Sequence, residues 1–417
     1  MKLTTRLSWI TILALALVLA LPAFAQEASV PPLAAAQNNA IWLYGFSNQP
    51  QQITDGTAKD LSSLVWSSDG TYLAFIARDE NYNPNLMLYD RANGSLIQVA
   101  SDIADGFPVQ FTTDSSQLVF VKDDPNSTPG PDYRMDFFTY DLVPGATPVQ
   151  AGSFKFGVGC GGGSPFPQDW RFTAETGGLG GFHLVLDVTP FGLVHSMDCG
   201  GSQTGLLNLQ TGEDTAVGQL NRAAVSADRT KVAGITDLTG DRTQERLVVV
   251  DLQTLGSSQL ATAETPDQVA WGSTGSNELF YSARRTTDQP MAFDAAGLQR
   301  IMAVLGENTP VNLWEVSIHR FDLTTNTDTE LYRTEAYAVG RMIPTPNGQN
   351  LIFSQVPNAE DWFRAIAEGR LDMSAPDWDR QSLNLVQVQL FSLPVSGGEA
   401  RLIGTDLNQV ALNTAAS

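Results

Sequence analysis

The sequence predicts an all-β chain, a seven-bladed β-propeller closed by strands from both chain ends. Three observations predict it. The stretch 64–77, LVWSSDGTYLAFIA, is a short apolar strand, a tight polar turn and a second apolar strand. Leu64 and Trp66 alternate with Val65 across its two faces, Asp69 and Gly70 supply the local hydrogen bonding and positive φ of a turn, and 72–77 carries aromatic and β-branched residues that suit a pleated sheet. A lone hairpin is marginal in water, so this one needs neighbours. The pattern then recurs along the chain, with Tyr44, Tyr89, Tyr140, Leu209, Val250, Phe321 and Phe391 as its ruler and steps from 41 residues (Leu209 to Val250) to 71 (Val250 to Phe321). Finally, 42% hydrophobic content provides a core, while only 17% of residues are charged and 36 Gly and 22 Pro supply turns, an all-β balance.

Taken in order, 41–44 and 52–54 read as the back half of a unit whose front half lies elsewhere. The first full unit has strands at 64–66, 72–76, 86–89 and 96–99; the second at 109–111, 118–121, 137–140 and 149. The third is placed at 170–172, 183–188, 206–209 and 216–217, the fourth at 223–225, 231–235, 246–250 and 259–260. The fifth runs through 269–271, 278–281, 317–321 and 330–332, the sixth through 341–343, 350–353, 387–391 and 400–403. A last strand at 409–412 supplies the first strand of a seventh unit completed by the two N-terminal strands. That closure leaves no open sheet edge between the chain ends. A period near 40 with four strands per unit is the signature of propeller blades; six blades with spare terminal strands is the alternative.

Residues 1–25 read as a signal peptide: Lys2 and Arg6, an apolar run 9–21, Pro22, and a small-x-small site at Ala23-Phe24-Ala25. Residues 26–39 read as a flexible Ala/Pro/polar lead-in, and 40–413 as one propeller domain. The formal charge is −21, and removal of two basic residues with 1–25 makes it −21 − 2 = −23. So acidic a chain argues against nucleic-acid partners and against anionic lipid. No apolar run after residue 25 is long enough to span a membrane. The expectation is an extracytoplasmic, periplasmic or secreted, monomer.

WSSDGTYLAF followed by NPNLMLYDRANGSLIQV resembles the WD40-like repeat of TolB-type propellers, a repeat also found in the propeller domain of prolyl-oligopeptidase-type peptidases. Weaker copies read FTTDSSQLVF, VSADRTKVAG, WGSTGSNELFY and PTPNGQNLIF. The resemblance spans about 41 to 412 and covers neither a TolB N-terminal α/β domain nor a hydrolase domain. It implies the fold; function it leaves open, because this fold hosts binding scaffolds and several enzyme classes.

Candidate sites follow from the strand map. Cys160 and Cys199, each followed by two glycines, lie in loops that leave the same face of one unit, and an exported chain meets an oxidising compartment, so a disulfide is expected. A metal site with His195 and His183 is the alternative. Two long insertions on that face read as helices. Asp294 caps one running to Leu305, with Leu298, Ile301, Met302 and Leu305 as its stripe. Asn358 caps another running to Arg370 with Trp362, Phe363 and Ile366 on one side, and Trp378 follows. They either pack on the disc or wall a binding site. Asp60, Asp105, Asp169 and Asp267 precede first strands and so face the channel mouth. Such a ring of acids would take Ca²⁺ or act as an acid/base pair, unless each is turn chemistry. No Gly-x-Ser-x-Gly, zinc spacing, phosphate loop or dinucleotide fingerprint occurs. His319 sits in a strand and reads as structural. The reading is a non-catalytic binding or scaffolding propeller, without cofactor, engaging a protein or cell-envelope ligand through Trp362, Phe363, Trp378, Asp105, Asp169 and Asp267. The alternative is a glycan- or small-substrate enzyme of hydrolase or lyase type using the same carboxylates.

Overall fold

Seven four-stranded antiparallel sheets form the seven blades of a β-propeller. The structure, a computed structural model, describes residues 32–413 other than 48, 68, 105–108, 113–114, 124–132, 157–181, 199–201, 209–210, 212, 238–244, 274, 306–311, 358–359, 372–384 and 386–387. The chain opens with β1 (Leu33–Gln37), β2 (Ala40–Tyr44) and β3 (Gln51–Gln52). Blade 1 is β4 (Leu61–Trp66), β5 (Tyr72–Arg78), β6 (Pro84–Asp90) and β7 (Ser95–Ser101); blade 2 is β8 (Gln110–Phe111), β9 (Gln117–Asp123), β10 (Tyr133–Asp141) and β11 (Val149–Phe156). Blade 3 is β12 (Phe182–Thr189), β13 (Gly192–Asp198), β14 (Ser202–Leu207) and β15 (Asp214–Gly218); blade 4 is β16 (Asn221–Val225), β17 (Lys231–Asp237), β18 (Glu245–Asp251) and β19 (Ser257–Leu260). Blade 5 is β20 (Pro266–Trp271), β21 (Glu278–Pro290), β22 (Asn312–Asp322) and β23 (Thr327–Glu335), with helix α1 (Ala295–Leu305) between β21 and β22. Blade 6 is β24 (Ala338–Pro344), β25 (Asn350–Val356), β26 (Gln389–Pro394) and β27 (Arg401–Thr405), with helix α2 (Glu360–Ala367) between β25 and β26. The last strand, β28 (Asn408–Leu412), pairs with β1, so blade 7 has the order β28-β1-β2-β3.

Blade 7 corrects the expected lead-in. Residues 33–37 of the stretch 26–39 form a strand, β1, paired to β28 on one side and β2 on the other. Three N-terminal strands, not two, complete the last blade. The sequence LAAAQ lacks β-branched residues, yet Leu33, Ala34 and Ala35 are all fully buried. Packing on both faces outweighs the weak strand preference of alanine.

Blade 3 also shifts by one strand. The stretch expected to be its second strand is its first, β12, and β13, expected to be loop, is its second. They are joined by a tight turn in which the Thr189 hydroxyl donates to the Gly192 carbonyl and accepts from the Phe191 amide. The expected first strand at 170–172 lies outside the described residues. Register likewise corrects two ruler positions. Tyr89, Tyr140, Val250 and Phe321 pair with Leu73, Leu118, Val232 and Leu279. In blades 3 and 6 the equivalents are Leu207 and Leu393, paired with Leu193 and Leu351. Each lies two residues from the expected one, a slip that preserves the face and so leaves the apolar pattern unchanged.

The turns joining inner to second strands repeat one piece of chemistry. Ser67 Oγ accepts from the Tyr72 amide at 2.9 Å and donates to Asp69 at 2.6 Å. Ser226 does the same with Lys231 and Asp228, and Thr345 with Asn350 and Asn347. The next position needs positive φ: Gly70 and Gly348 supply it at 68° and 66°, and Arg229 adopts 59° in their place. Asn413 serves blade 7, its amide donating to Pro32 O and its side chain to Gly70 O of blade 1.

The core lies between blades. Leu73, Phe75 and Tyr89 of blade 1 pack with Ala34, Ile41 and Leu43 of blade 7; Phe280, Val316 and Ile318 of blade 5 pack with Leu351, Phe353 and Leu393 of blade 6. Each sheet buries both faces only against its siblings. In every blade except the second, the pairing between inner and second strands slips at a bulge. Bulges re-aim side chains, and at β16 the bulge at Arg222 sets that residue against the inner strand of blade 5.

Candidate functional site

Antiparallel alternation puts two kinds of connection on one face of the disc: the linkers that enter each inner strand, and the connections between second and third strands. That face carries both helices and, in blade 5, a connected set of polar side chains.

The helices pack on each other. The Asp294 carboxylate caps α1 by accepting from the Gly297 amide at 2.6 Å, as expected. Gly369, at φ 71°, ends α2, with its amide donating to Ile366 O. Between the helices and the arm below them, Met291, Ile301, Phe363, Ile366 and Leu371 form a separate apolar cluster. The Arg300 side chain reaches the Ala367 carbonyl, and Gly297 sits where a Cβ would meet Ala367 at 3.0 Å. Phe363, expected to face a ligand, is 4% exposed inside this cluster. Trp362 is half-buried and stacks edge-on against it at 5.2 Å. Met302, placed in the buried stripe by the sequence, is exposed, as is Val304. Below, the Arg284 guanidinium covers Trp314 at 4.7 Å and Tyr337 at 5.3 Å.

The acids divide. Asp267 lies in β20 and takes an ion pair and a hydrogen bond from Arg222, so it is neutralised across the gap between blades 4 and 5. Asp60 caps its own strand by accepting from the Leu61 amide. Asp79 accepts from the amides of Asn81 and Asn83, which is turn chemistry. Asp105, Asp169, Trp378, Cys160 and Cys199 lie outside the described residues, as do Asn358 and the expected signal peptide. His195 is buried in β13, and its Nε2 is 2.9 Å from Asp214 Oδ1.

The cluster in blade 5 was not assembled by sequence reasoning. His319 is 2% exposed in β22. Its ring stacks on Tyr281 at 4.7 Å; Nδ1 lies 3.1 Å from Asp328 Oδ1 and Nε2 3.1 Å from Ser317 Oγ. Asp328 Oδ2 also accepts from the Tyr281 hydroxyl at 2.5 Å and the Ala263 amide at 2.6 Å. Ser317 donates to Glu264 Oε2 at 2.7 Å, and Glu264 Oε1 is bound by Arg333 at 2.6 Å. Arg333 continues to Glu330 and Glu315, and Glu315 to Arg285. The one sequence signal was Ser317-x-His319, which puts a hydroxyl and an imidazole on the same face of a strand.

The charges follow. Burial pushes the Asp328 carboxyl up, but the bonds from His319, Tyr281 and the Ala263 amide hold it below its ordinary value. Burial acts on Glu264 in the same way, and Ser317 and Arg333 more than offset it. Arg333 holds Glu315 down, and burial together with Asp328 pushes the Tyr281 hydroxyl far up, so Tyr281 stays a donor. Glu264, His319 and Glu330 are the metal-ligand types that converge among the described residues, within 4.8 Å of one another. The Arg333 guanidinium binds both carboxylates, and its charge opposes a cation placed between them.

No family model matches the chain, and no curated protein matches it. Solved structures like it are themselves distant. TolB from Acinetobacter baumannii is 12% identical over 72% of this chain, with a TM-score of 0.38, and this chain spans about 63% of TolB's length. A putative 6-phosphogluconolactonase from Bacteroides fragilis is 10% identical over 92% of this chain and 97% of its own, at 0.48. Oligogalacturonate lyase from Vibrio parahaemolyticus is 10% identical over 76% of this chain and 79% of its own, at 0.48. Likenesses of this size assign no activity. The chain is a seven-bladed β-propeller by its own sheet order, and among the described residues no helix is long and apolar enough to cross a membrane.

Proposed function

We propose that this chain is an extracytoplasmic binding or scaffolding propeller whose ligand, a protein or cell-envelope component, docks on the face that carries α1 and α2. The observation that supports it is the helical platform itself. Two insertions from adjacent blades pack through Ile301, Phe363 and Ile366 into one small core, and they leave Met302 and Val304 in solvent at 37% and 41% exposure. A rigid scaffold that presents a second layer on one face suits recognition. The basic and apolar N-terminal segment supports export, and the pairing of Asp267 with Arg222 leaves that carboxylate engaged rather than poised for acid/base work.

The test is capture from native envelope extract with the full chain and with M302D/V304D, whose substituted side chains are exposed and leave the inner cluster intact. Partner recovery falls at least about tenfold in the double variant if the platform is the docking face, the scale expected when central contacts are lost. Equal recovery, with unchanged far-UV circular dichroism, overturns the reading. Turnover of an oligosaccharide panel that is abolished by D267N would instead favour a glycan-active enzyme.

A further inference from the structure

The face of blade 5 that packs on blade 6 changes character along β21. Strand alternation sets Phe280, Ser282, Arg284 and Thr286 on that face. Opposite the last three, on β22, stand Ile318, Val316 and Trp314. Phe280, Val316 and Ile318 belong to the core shared with Leu351 and Phe353 of blade 6. Toward the helices the β21 positions turn polar and then basic. Arg284 is half-buried there, with its guanidinium over the rings of Trp314 and Tyr337 at 4.7 and 5.3 Å. Among the described residues it makes neither an ion pair nor a hydrogen bond. Other arginines of blade 5 do pair: Arg285 with Glu315, Arg320 with Glu278, and Arg333 with Glu264, Glu315 and Glu330. In a chain with 45 acidic residues against 24 basic ones, a guanidinium without a carboxylate stands out. Trp314 Nε1 is buried and likewise has no acceptor. On the blade 6 side, Gln355 Oε1 is taken by the Tyr332 hydroxyl at 3.3 Å. Donors held out of water without acceptors are costly, so the crevice is completed by a group that brings acceptors with it.

We propose that Arg284 and Trp314 form a socket for a carboxylate of a peptide ligand, at the helix-bearing end of the crevice between blades 5 and 6. The choice of a peptide rests on the docking reading above; the choice of a carboxylate rests on these side chains alone. The socket lies on the proposed docking face. β21 leads directly into the insertion that carries α1, Tyr337 immediately precedes β24, and Trp314 and Tyr337 both pack against the apolar cluster of the helices.

The geometry selects the ligand chemistry. Rings cover the flat face of the guanidinium, while its N–H groups lie in its own plane and point out from the stack. A carboxylate entering in that plane takes two parallel bonds, and the aromatic walls keep the fork in place before the ligand arrives. Trp314 Nε1 adds a donor in the ring that the guanidinium covers. One guanidinium matches one negative charge. Arg285 is already engaged by Glu315, so a dianion such as phosphate would leave a charge uncompensated beside that carboxylate. A neutral amide would offer one acceptor and add an N–H that faces further donors.

The experiment uses the full chain labelled with ¹⁵N, at constant ionic strength. The indole Nε1–H signal of Trp314 and the Nε–H signal of Arg284, assigned with W314F and R284K, are followed during titration with short probes. N-acetyl-glutamate amide carries a side-chain carboxylate, N-acetyl-glycylglycine carries a terminal one, and N-acetyl-glutamine amide and inorganic phosphate are the controls. The expected result is a saturable shift of both signals with at least one carboxylate probe, and the probe that binds tells a side-chain source from a chain terminus. R284K keeps the charge and loses the fork, and it weakens that binding about tenfold or more, the scale of a charge-assisted hydrogen bond. R284Q, checked for folding by far-UV circular dichroism, abolishes it; R284K keeps the test readable if R284Q fails to fold. No shift with either carboxylate, an equal shift with the glutamine probe or with phosphate, or unchanged affinity in R284K overturns the proposal. Failure of the docking reading looks different: M302D/V304D would recover partner like wild type while the carboxylate probes still shift Trp314.

Discussion

Gly205 in β14 has no side chain for a specific reason, and substitution by alanine tests it. A Cβ built there would lie 2.7 Å from Asp214 Oδ1 and 2.7 Å from His195 Cε1, inside any real van der Waals contact. The two side chains it meets are themselves buried and bonded, His195 Nε2 to Asp214 Oδ1 at 2.9 Å, with side-chain exposures of 4% and 12%. Neither can swing into solvent without surrendering the bond. Overpacking costs about 1–3 kcal/mol, and breaking a buried polar pair about 1–3 kcal/mol more. Gly205→Ala is therefore expected to destabilise by roughly 2–6 kcal/mol, read from the denaturant midpoint at unchanged slope. The pair must also couple. In G205A/H195A the obstructed ring is gone and Asp214 is released from its bond to it, so the double variant should lose less than the sum of the two single changes, an interaction of about 1 kcal/mol or more on the scale of contacting residues. A G205A midpoint within about 0.5 kcal/mol of wild type, the range of neutral surface changes, or strict additivity with H195A, refutes the packing argument.

Other outcomes follow from the same coordinates. Phe363→Ala, at 4% exposure between the helices, should cost about 3–5 kcal/mol locally; the insertions would lose exchange protection at a denaturant concentration where the blades keep theirs. Asp228→Ala removes the acceptor for the Ser226 hydroxyl and the Thr230 amide and should lower stability by about 1–2 kcal/mol in thermal or urea unfolding. Asp328 and Glu264 sit below their ordinary values of 3.8 and 4.5, so each contributes stability above the unfolded carboxylate range and loses it as pH falls through its folded value. The unfolding midpoint should therefore drop below about pH 4.5, and D328N should flatten that drop; a parallel acid limb in D328N would remove Asp328 from the account.

The repeat was legible because its cause is local. LVWSSDGTYLAF carries its strands and turn in adjacent residues, and Ser67, Asp69 and Gly70 do in the structure what their types suggest. The helix cap at Asp294 was legible for the same reason. β1 was not, because LAAAQ has no strand preference of its own and becomes a strand only between β28 and β2. The frame of blade 3 was misread where a tight Pro190-Phe191 turn separates two strands that periodicity alone could not order. Trp362 and Phe363 are neighbours in a helix, and whether they face a ligand or α1 depends on where the adjacent insertion lies.

By itself the sequence determined a ring of four-stranded units, seven in number, with its turns and with helices in two insertions, since each rests on residues a few positions apart. Only the tertiary structure decided which charges meet. Glu264, Tyr281, Ser317, His319, Asp328 and Arg333 come from four segments that converge because blade 5 folds back on itself three times beside its entering linker. The physical reason is the range of the forces: turn and strand preferences act within a few bonds, whereas a hydrogen-bonded cluster is fixed by the packing of whole sheets.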